Sequence, residues 1–478
     1  MPRVDNSTMT DPGWLSLLPP LLAIVLAIWT KQVILSLFAG LWLAFSLLAG
    51  FNPVAGLGGA LQGVVDVFGD AGDARVLIFT LLIGSLIATI EHSGGVRGFI
   101  HFLESRRWVH TDKRAQWLAW GTGIVIFVES NITLLVAGSV SRPLFDRFRV
   151  SREKLAYLID ATSAPVCVMI PLNAWGAVII GLADGAGAEQ PLQLFVASIP
   201  YNLYALTAIL LGAVVIATGF NFGPMKAAEK RTQAGDMLWP GATPLVDTSA
   251  EQISDDGGAP PSAAFMTVPI LVMIGMMPIG LYVTGSGTLA EGSGSTSILW
   301  AISAAIAAAW TMLLATGKST VPELMKVFMK GAGDLLPIAT ILLLALALGD
   351  AAKLLGTGPY VAGVVSETLP AALLAPLIFL ASAFIAFSVG SSWGTFAIMI
   401  PIALPIAMTL DLSQPLLLAA AISGAIFGDH ASPLSDTTVV ASMASATDHI
   451  DHVRTQLPYA LLAAAISTAG FTVLGLIL

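Results

Sequence analysis

The residues best placed to do chemistry stand together in Gly428-Asp-His-Ala-Ser-Pro-Leu-Ser-Asp-Thr-Thr438. There Asp429, Asp436, His430 and the hydroxyls of Ser432, Ser435, Thr437 and Thr438 interrupt a long apolar run. Carboxylates, hydroxyls and freed carbonyls are hard ligands, suited to an alkali cation and unsuited to a thiophilic metal. A carboxylate in apolar surroundings also binds a proton, and a cation at the same group displaces it. If such a group must be neutralised by either ion before the protein rearranges, the two ions exchange. The first candidate for that switch is Asp436, followed by Asp429 and Glu129. Pro433 breaks the helix and frees backbone carbonyls, while the half-helix N-terminus beyond it favours an anionic group.

Three further clusters carry the same chemistry: Glu129, Ser130, Asn131 and Thr133; Asp160, Thr162, Ser163 and Asn173; and Ser391, Ser392, Trp393 and Thr395. They fall in register as two copies of one unit. Ala71-Gly72-Asp73 matches Ala332-Gly333-Asp334, and Val128-Glu-Ser-Asn131 matches Val389-Gly-Ser-Ser392. Asp160-Ala-Thr-Ser163 then Pro165 matches Asp429-His-Ala-Ser432 then Pro433. The second copy follows the first by 261, 261 and 269 residues at Asp73/Asp334, Glu129/Gly390 and Asp160/Asp429.

The elements that position these clusters must lie in a bilayer. The chain has 478 residues, 56% hydrophobic and 11% charged, with mean hydropathy +0.84, too little polar surface to cover a soluble globule. A net charge of −9 argues against nucleic acid, and a lone cysteine, Cys167, excludes an internal disulfide. Apolar runs near 14–30, 32–50, 74–92, 155–180, 196–219, 263–284, 296–316, 335–352, 415–446 and 456–478 predict about ten crossings. The first run, behind a polar N-terminus without a cleavage pattern, reads as a retained span.

The segment 117–145 has basic residues on both flanks, Arg106 to Arg114 and Arg142 to Lys154. Both flanks therefore belong on the cytoplasmic side, and the segment between them must enter and return. This predicts a re-entrant hairpin with its tip at Glu129-Ser130-Asn131, a second at 371–410, and both termini outside. The expected architecture is an all-α polytopic membrane protein built as an inverted repeat. Residues 1–223 hold hairpin 117–145 and broken helix 155–180; residues 263–478 hold hairpin 371–410 and broken helix 415–446. The polar stretch 224–262 is the cytoplasmic linker.

Structural roles compete at several of these positions. Asp160 and Asp429 serve equally well as caps of half-helices, and His430 either relays protons or orients Asp429. Trp175 and Trp393 read as packing residues, Asp73 and Asp334 as caps or interfacial groups, and the glycine-rich 56–63 as close packing or an interfacial segment. Asp448-His-Ile-Asp-His452 reads as a solvated, self-paired face, with a pH sensor as the minor alternative. Two aspartates at membrane depth also suit an intramembrane aspartyl protease. Ile426 stands where that motif needs glycine, and proteolysis leaves the repeat unexplained, so a carrier is favoured and no enzyme is expected. Nothing resembles a ring of selectivity-filter carbonyls, which disfavours a channel.

Through Gly428 to Thr438 and then Thr447-Asp-His-Ile-Asp-His-Val-Arg-Thr-Gln-Leu-Pro-Tyr459, the chain resembles the NhaC-type sodium/proton antiporter family. The resemblance is strongest over 300–478 and extends through the repeat and the Glu129-Ser-Asn131 tip to 70–220. It implies a scaffold, a moving part with two hairpins and two broken helices, a homodimer and an elevator motion. It also implies the Ser435 to Thr438 region and the Glu129 tip as site elements. The resulting expectation is exchange of Na+ or Li+ for H+ across a prokaryotic cell membrane, with no cofactor. The alternative is a Na+- or H+-coupled carrier of a small organic acid or amino acid. The absence of Arg and Lys from the predicted core favours the cation.

Overall fold

The computed structural model describes residues 13–478 apart from 31, 106–108, 128, 245–261, 290–291, 358, 361–362 and 364–369. Among the described residues every regular element is a helix. Seven are long and apolar enough to cross a bilayer: Ala71–His92, Ala264–Thr284, Gly294–Ala315, Leu336–Leu354, Ala371–Val389, Ser392–Thr409 and His449–Ile477. Two bent pairs, Val33–Leu48 with Pro53–Gly69 at 119° and Pro191–Tyr201 with Leu203–Thr218 at 44°, bring the number to nine. The sequence count of about ten includes the run 14–30, which forms only the shorter apolar helix Gly13–Ala27, and the two broken helices. It leaves out Ala371–Val389 and Ser392–Thr409, which it takes as one hairpin and which are each long enough to cross. Leu21, Val25, Leu271, Val283 and Leu476 stand exposed on these helices, as the hydrocarbon of a bilayer requires.

Each expected hairpin is a pair of helices in contact across a short link. In the first hairpin, Asp112–Val125 leads through the tip to Ser130–Phe148; in the second, Leu374–Val389 leads through Gly390 and Ser391 to Ser392–Thr409. Gly390 closes the second tip in the left-handed region, φ 73°, and its missing Cβ would stand 2.7 Å from Leu434 Cβ. Each broken helix also forms in pieces. The first runs Arg152–Asp160, Ala164–Cys167 and Ala174–Gly185; the second runs Gln414–Ala431 and Asp436–Ser445. Pro165 and Pro433 stand at or beside the breaks because neither can extend the helix before it.

Helix contacts are set by small residues, as expected where lipid removes the hydrophobic drive for association. The glycine-rich stretch packs closely. A Cβ on Gly56 would lie 2.6 Å from Ser46 Cα, so the helix Pro53–Asp66 rests directly on Val33–Leu48. Gly84 and Gly331 face each other where Ala71–His92 crosses Val321–Asp334. A Cβ on Gly84 would meet the Gly331 carbonyl oxygen at 2.2 Å. Gly84→Ala is therefore expected to cost about 1–3 kcal/mol by overpacking. A lowered thermal midpoint in detergent should report this, whereas Gly58→Ala, which meets nothing within 4 Å, should leave the midpoint unchanged or slightly raised.

Of the expected linker 224–262, residues 245–261 lie outside the described residues. Its beginning forms the helix Gly223–Ala234, which docks on Arg152–Asp160. Arg231 forks onto Glu153 at 2.7 and 3.0 Å, and Glu229 accepts from the Ser151 hydroxyl at 2.6 Å. The first half-helix is thus clamped at its start by buried ionic contacts.

Candidate functional site

Each hairpin tip rests on the break of its own broken helix. In the first copy, Asn173 Nδ2 donates to the Phe127 carbonyl of the tip at 2.8 Å and to the Cys167 carbonyl at 2.8 Å. In the second, the Ser432 hydroxyl donates to the Phe387 carbonyl at 2.8 Å, and the Ser392 hydroxyl donates to Asp429 Oδ2 at 2.7 Å. The half-helix Asp436–Ser445 of the second copy packs against Ser130–Phe148 and Arg152–Asp160 of the first. The two breaks therefore lie against each other.

The carboxylates do not cap the half-helices. Those N-termini are capped by Asn173, which accepts from Gly176 N at 3.0 Å, and by Ser435, which accepts from Thr438 N at 3.5 Å. Asp160 instead ends Arg152–Asp160, and Asp429 lies in the last turn of Gln414–Ala431. Both sit at helix C-termini, where the helix dipole is negative, and both are buried. Desolvation and dipole act against each carboxylate together, so each calls for a positive partner.

The surroundings differ between the two. Asp160 Oδ2 accepts from Gln456 Nε2 at 2.8 Å and lies 3.9 Å from Nε2 of both His430 and His452. Asp429 has hydroxyls around it, from Ser392 of the tip and Ser435 of the break, and feels the charge of Asp436. Oδ1 of Asp160 and of Asp429, with Thr438 Oγ1 and Ser163 Oγ, are buried and make no hydrogen bond among the described residues. Asp436 opens its half-helix with an exposed side chain whose Oδ1 accepts from Thr437 N at 3.0 Å. Ser435 and Thr437 share a hydroxyl contact at 3.0 Å.

Other predicted site residues hold backbone. Glu129 caps Ser130–Phe148, accepting from Ile132 N at 2.8 Å, with Ser130 and Asn131 donating to its second oxygen at 3.1 and 3.2 Å. By cap position its counterpart is Ser391, which caps Ser392–Thr409, so the tip has a folding use for an acceptor there. Glu129 still lies within electrostatic reach of Asp436. Thr133 donates to the carbonyls of Ile126 and Glu129, and Thr395 to the carbonyl of Ser391 at 3.0 Å. Trp175 and Trp393 pack against each other with ring centroids 4.4 Å apart and planes tilted by 37°, Trp175 fully buried, as packing residues are.

His430 binds the Tyr204 hydroxyl through Nδ1 at 2.6 Å and faces Asp160, so it does not orient Asp429. The expectation of a solvated face at Asp448-His-Ile-Asp-His452 is corrected. His452 is fully buried and contacts Ser442 at 2.9 Å and Gln456 at 2.8 Å, because the start of the last helix tucks beneath the second break. Asp448 caps that helix and accepts from Thr243 N at 3.0 Å. Sequence reasoning passed over Gln456 and Tyr204. Gln456 follows His452 by one helical turn, a spacing that places both on one face. Asp73 lies in the first turn of Ala71–His92, which Asp70 caps, with Asp184 close by. The three carboxylates gather where that helix's N-terminal dipole favours them, while Asp334 is exposed.

Residues 166–476 match the sequence profile of the Na+/H+ antiporter family, a stretch that holds the second hairpin, the second break and nearly all of the last helix but begins after Asp160. The chain belongs to that family. Over 96% of its length this antiporter is 32% identical to an uncharacterized protein of Haemophilus influenzae, 90% of which is covered. Over 25% of its length it is 39% identical to the malate-2H+/Na+-lactate antiporter of Bacillus subtilis, covering 27% of that protein. Its backbone is similar to the YdaH transporter of Alcanivorax borkumensis, with a TM-score of 0.61 and 15% identity over 95% of this chain and 98% of that one, a likeness of fold. The protein is thus a polytopic membrane antiporter whose cargo is ions or small solutes.

Proposed function

We propose that the protein exchanges Na+, or Li+, for H+ by alternating access. Residues 1–223 and 263–478 act as inverted repeats, and the hairpins and broken helices move as an elevator-like unit. The observation that carries this reading is the pair of buried carboxylates, Asp160 and Asp429, each at the negative end of a half-helix and each with an oxygen that makes no hydrogen bond among the described residues. Asp429, ringed by the hydroxyls of Ser392 and Ser435 with Asp436 near, has the hard donors an alkali cation takes. Asp160, beside two imidazoles and an amide, has the proton-exchanging neighbours that suit H+. Asp160 and Asp429 feel each other's charge, so Na+ at one opposes H+ at the other, and movement with either ion but not both couples the fluxes as an exchange.

Proteoliposomes carrying a pH gradient, given Na+, Li+ and K+ in turn with no organic solute, test this. Dissipation of the gradient on adding Na+ or Li+ but not K+ is expected. The second reading, a coupled carrier of a small organic acid, draws on the name of the Bacillus subtilis relative. It also draws on the Asp436–Ser445 N-terminus, a ready anion site. A response only after malate, lactate or an amino acid is added would select it.

A further inference from the structure

The start of the last helix carries more than a cap. His449 Nε2 lies 2.8 Å from the Pro433 carbonyl, which only accepts, so that nitrogen bears a hydrogen. Gln456 Nε2 faces two acceptors, Asp160 Oδ2 at 2.8 Å and the His430 carbonyl at 2.6 Å, which fixes the orientation of its amide. Its oxygen then faces His452 Nε2 at 2.8 Å, and that nitrogen also bears a hydrogen. What remains is Nδ1 of both rings. Both point at one hydroxyl, Ser442 Oγ, at 3.0 Å from His449 and 2.9 Å from His452.

With both imidazoles neutral, two lone pairs compete for one hydroxyl hydrogen, which the Thr438 carbonyl also attracts at 2.8 Å. One contact then has no hydrogen, beside a fully buried ring. One added proton completes the chain: His449 Nδ1–H donates to Ser442 Oγ, and Ser442 O–H donates to His452 Nδ1.

We propose that His449, Ser442 and His452 bind one exchangeable proton and deliver it to Asp160, a site that rests on the proton-coupled reading above. Hydronium gives its proton to Nδ1 of half-buried His449, the ring nitrogen without a hydrogen, and leaves water. The Ser442 oxygen receives that proton as it passes its own to His452. His452 Nε2–H is held by the Gln456 oxygen at 2.8 Å and lies 3.9 Å from Asp160 Oδ2, about 1 Å beyond hydrogen-bond contact. When the breaks close by that amount the hydrogen leaves Gln456 for Asp160, and His452 stays neutral with its Nδ1–H.

The charged neighbours are arranged to leave this route to the imidazoles. On the last helix Asp448 and Asp451 are half-buried and Arg454 is exposed. Arg152–Asp160 presents Asp160, Tyr157 and Glu153, the last held by Arg231 of Gly223–Ala234. It also presents Arg152, which donates to the Ala446 carbonyl at 3.0 Å and pairs with Asp146, and buried Lys154, 3.8 Å from Glu229, itself bound to Ser151. Gln414–Ala431 presents Asp429 and His430, the latter on Tyr204 of Leu203–Thr218. Asp436–Ser445 presents Asp436, and Leu374–Val389 presents no titratable group.

Two measurements on the full chain decide the matter. In protein labelled with 15N-histidine, the His449 and His452 signals should titrate as one coupled pair, and Ser442→Ala should separate them into independent steps. In proteoliposomes, His449→Gln should slow Na+-driven proton movement about 100-fold, while Na+/Na+ exchange, which moves no proton, stays within about twofold of wild type. Independent titration in the wild type, unchanged by Ser442→Ala, would overturn the proposal, as would normal proton movement in folded His449→Gln. A wild type without any cation-driven proton movement would sink the exchange reading instead, and the titration alone would then decide the proton site.

Discussion

Asp429→Asn should fold normally and lose Na+-driven proton movement. The substitution keeps the shape and an acceptor for the Ser392 hydroxyl, so the tip stays seated on the break. What disappears is the charge. A unit charge about 4 Å from a cation at an effective dielectric near 20 is worth roughly 4 kcal/mol, or close to three decades of affinity. Burial at a helix C-terminus leaves no other anion in that position, and Asp436, which is exposed, lies at the opposite end of the break. The measurement is gradient dissipation in proteoliposomes together with a melting curve. Full exchange by a folded Asp429→Asn protein would remove this carboxylate from the cation site. Asp436→Asn, assayed alongside, then tells whether the outer carboxylate alone suffices.

Glu153→Ala should be among the most destabilising single changes in the protein. Glu153 is fully buried and Arg231 nearly so, and the two are joined by two hydrogen bonds at 2.7 and 3.0 Å. Arg231 also donates to the Asp236 and Met237 carbonyls and lies over the Trp239 ring at 4.7 Å, so it is held in place and cannot swing out to water. Removing the glutamate strands a buried guanidinium, at a cost of about 3–5 kcal/mol. Adding Arg231→Met should recover most of that loss in the thermal midpoint. The exposed Lys353 and Asp350 pair provides the contrast, since Asp350→Ala should cost under about 1 kcal/mol. Equal effects at the two sites would mean the helix Gly223–Ala234 does not clamp the first half-helix in the membrane.

Much of the site was legible from local signals. Pro165 and Pro433 mark the breaks because a proline cannot extend a helix, and basic flanks on both sides of 117–145 mark a segment that returns. Those signals act within a few residues or one span. The mistaken reading of Asp448 to His452 shows their limit. Two carboxylates and two imidazoles at helical spacing look solvated when only their own helix is considered, yet His452 is fully buried because another break lies over it. Glu129 aligns with Gly390 in the sequence repeat, whereas its position as helix cap, shared with Ser391, follows from where the helix begins.

The sequence by itself determined that this chain lives in a bilayer, that its regular elements among the described residues are helices, and that two tips and two breaks hold its candidate site residues, since hydropathy, charge flanks and prolines are properties of short stretches. Only the tertiary structure decided which polar atoms meet. Asp160 finds its hydrogen bond in Gln456, 296 residues away, and an imidazole neighbour in His430 of the other copy. Such contacts depend on which helix faces pack together, and in lipid that choice is made by small-residue fits such as Gly84 on Gly331, which no local pattern announces.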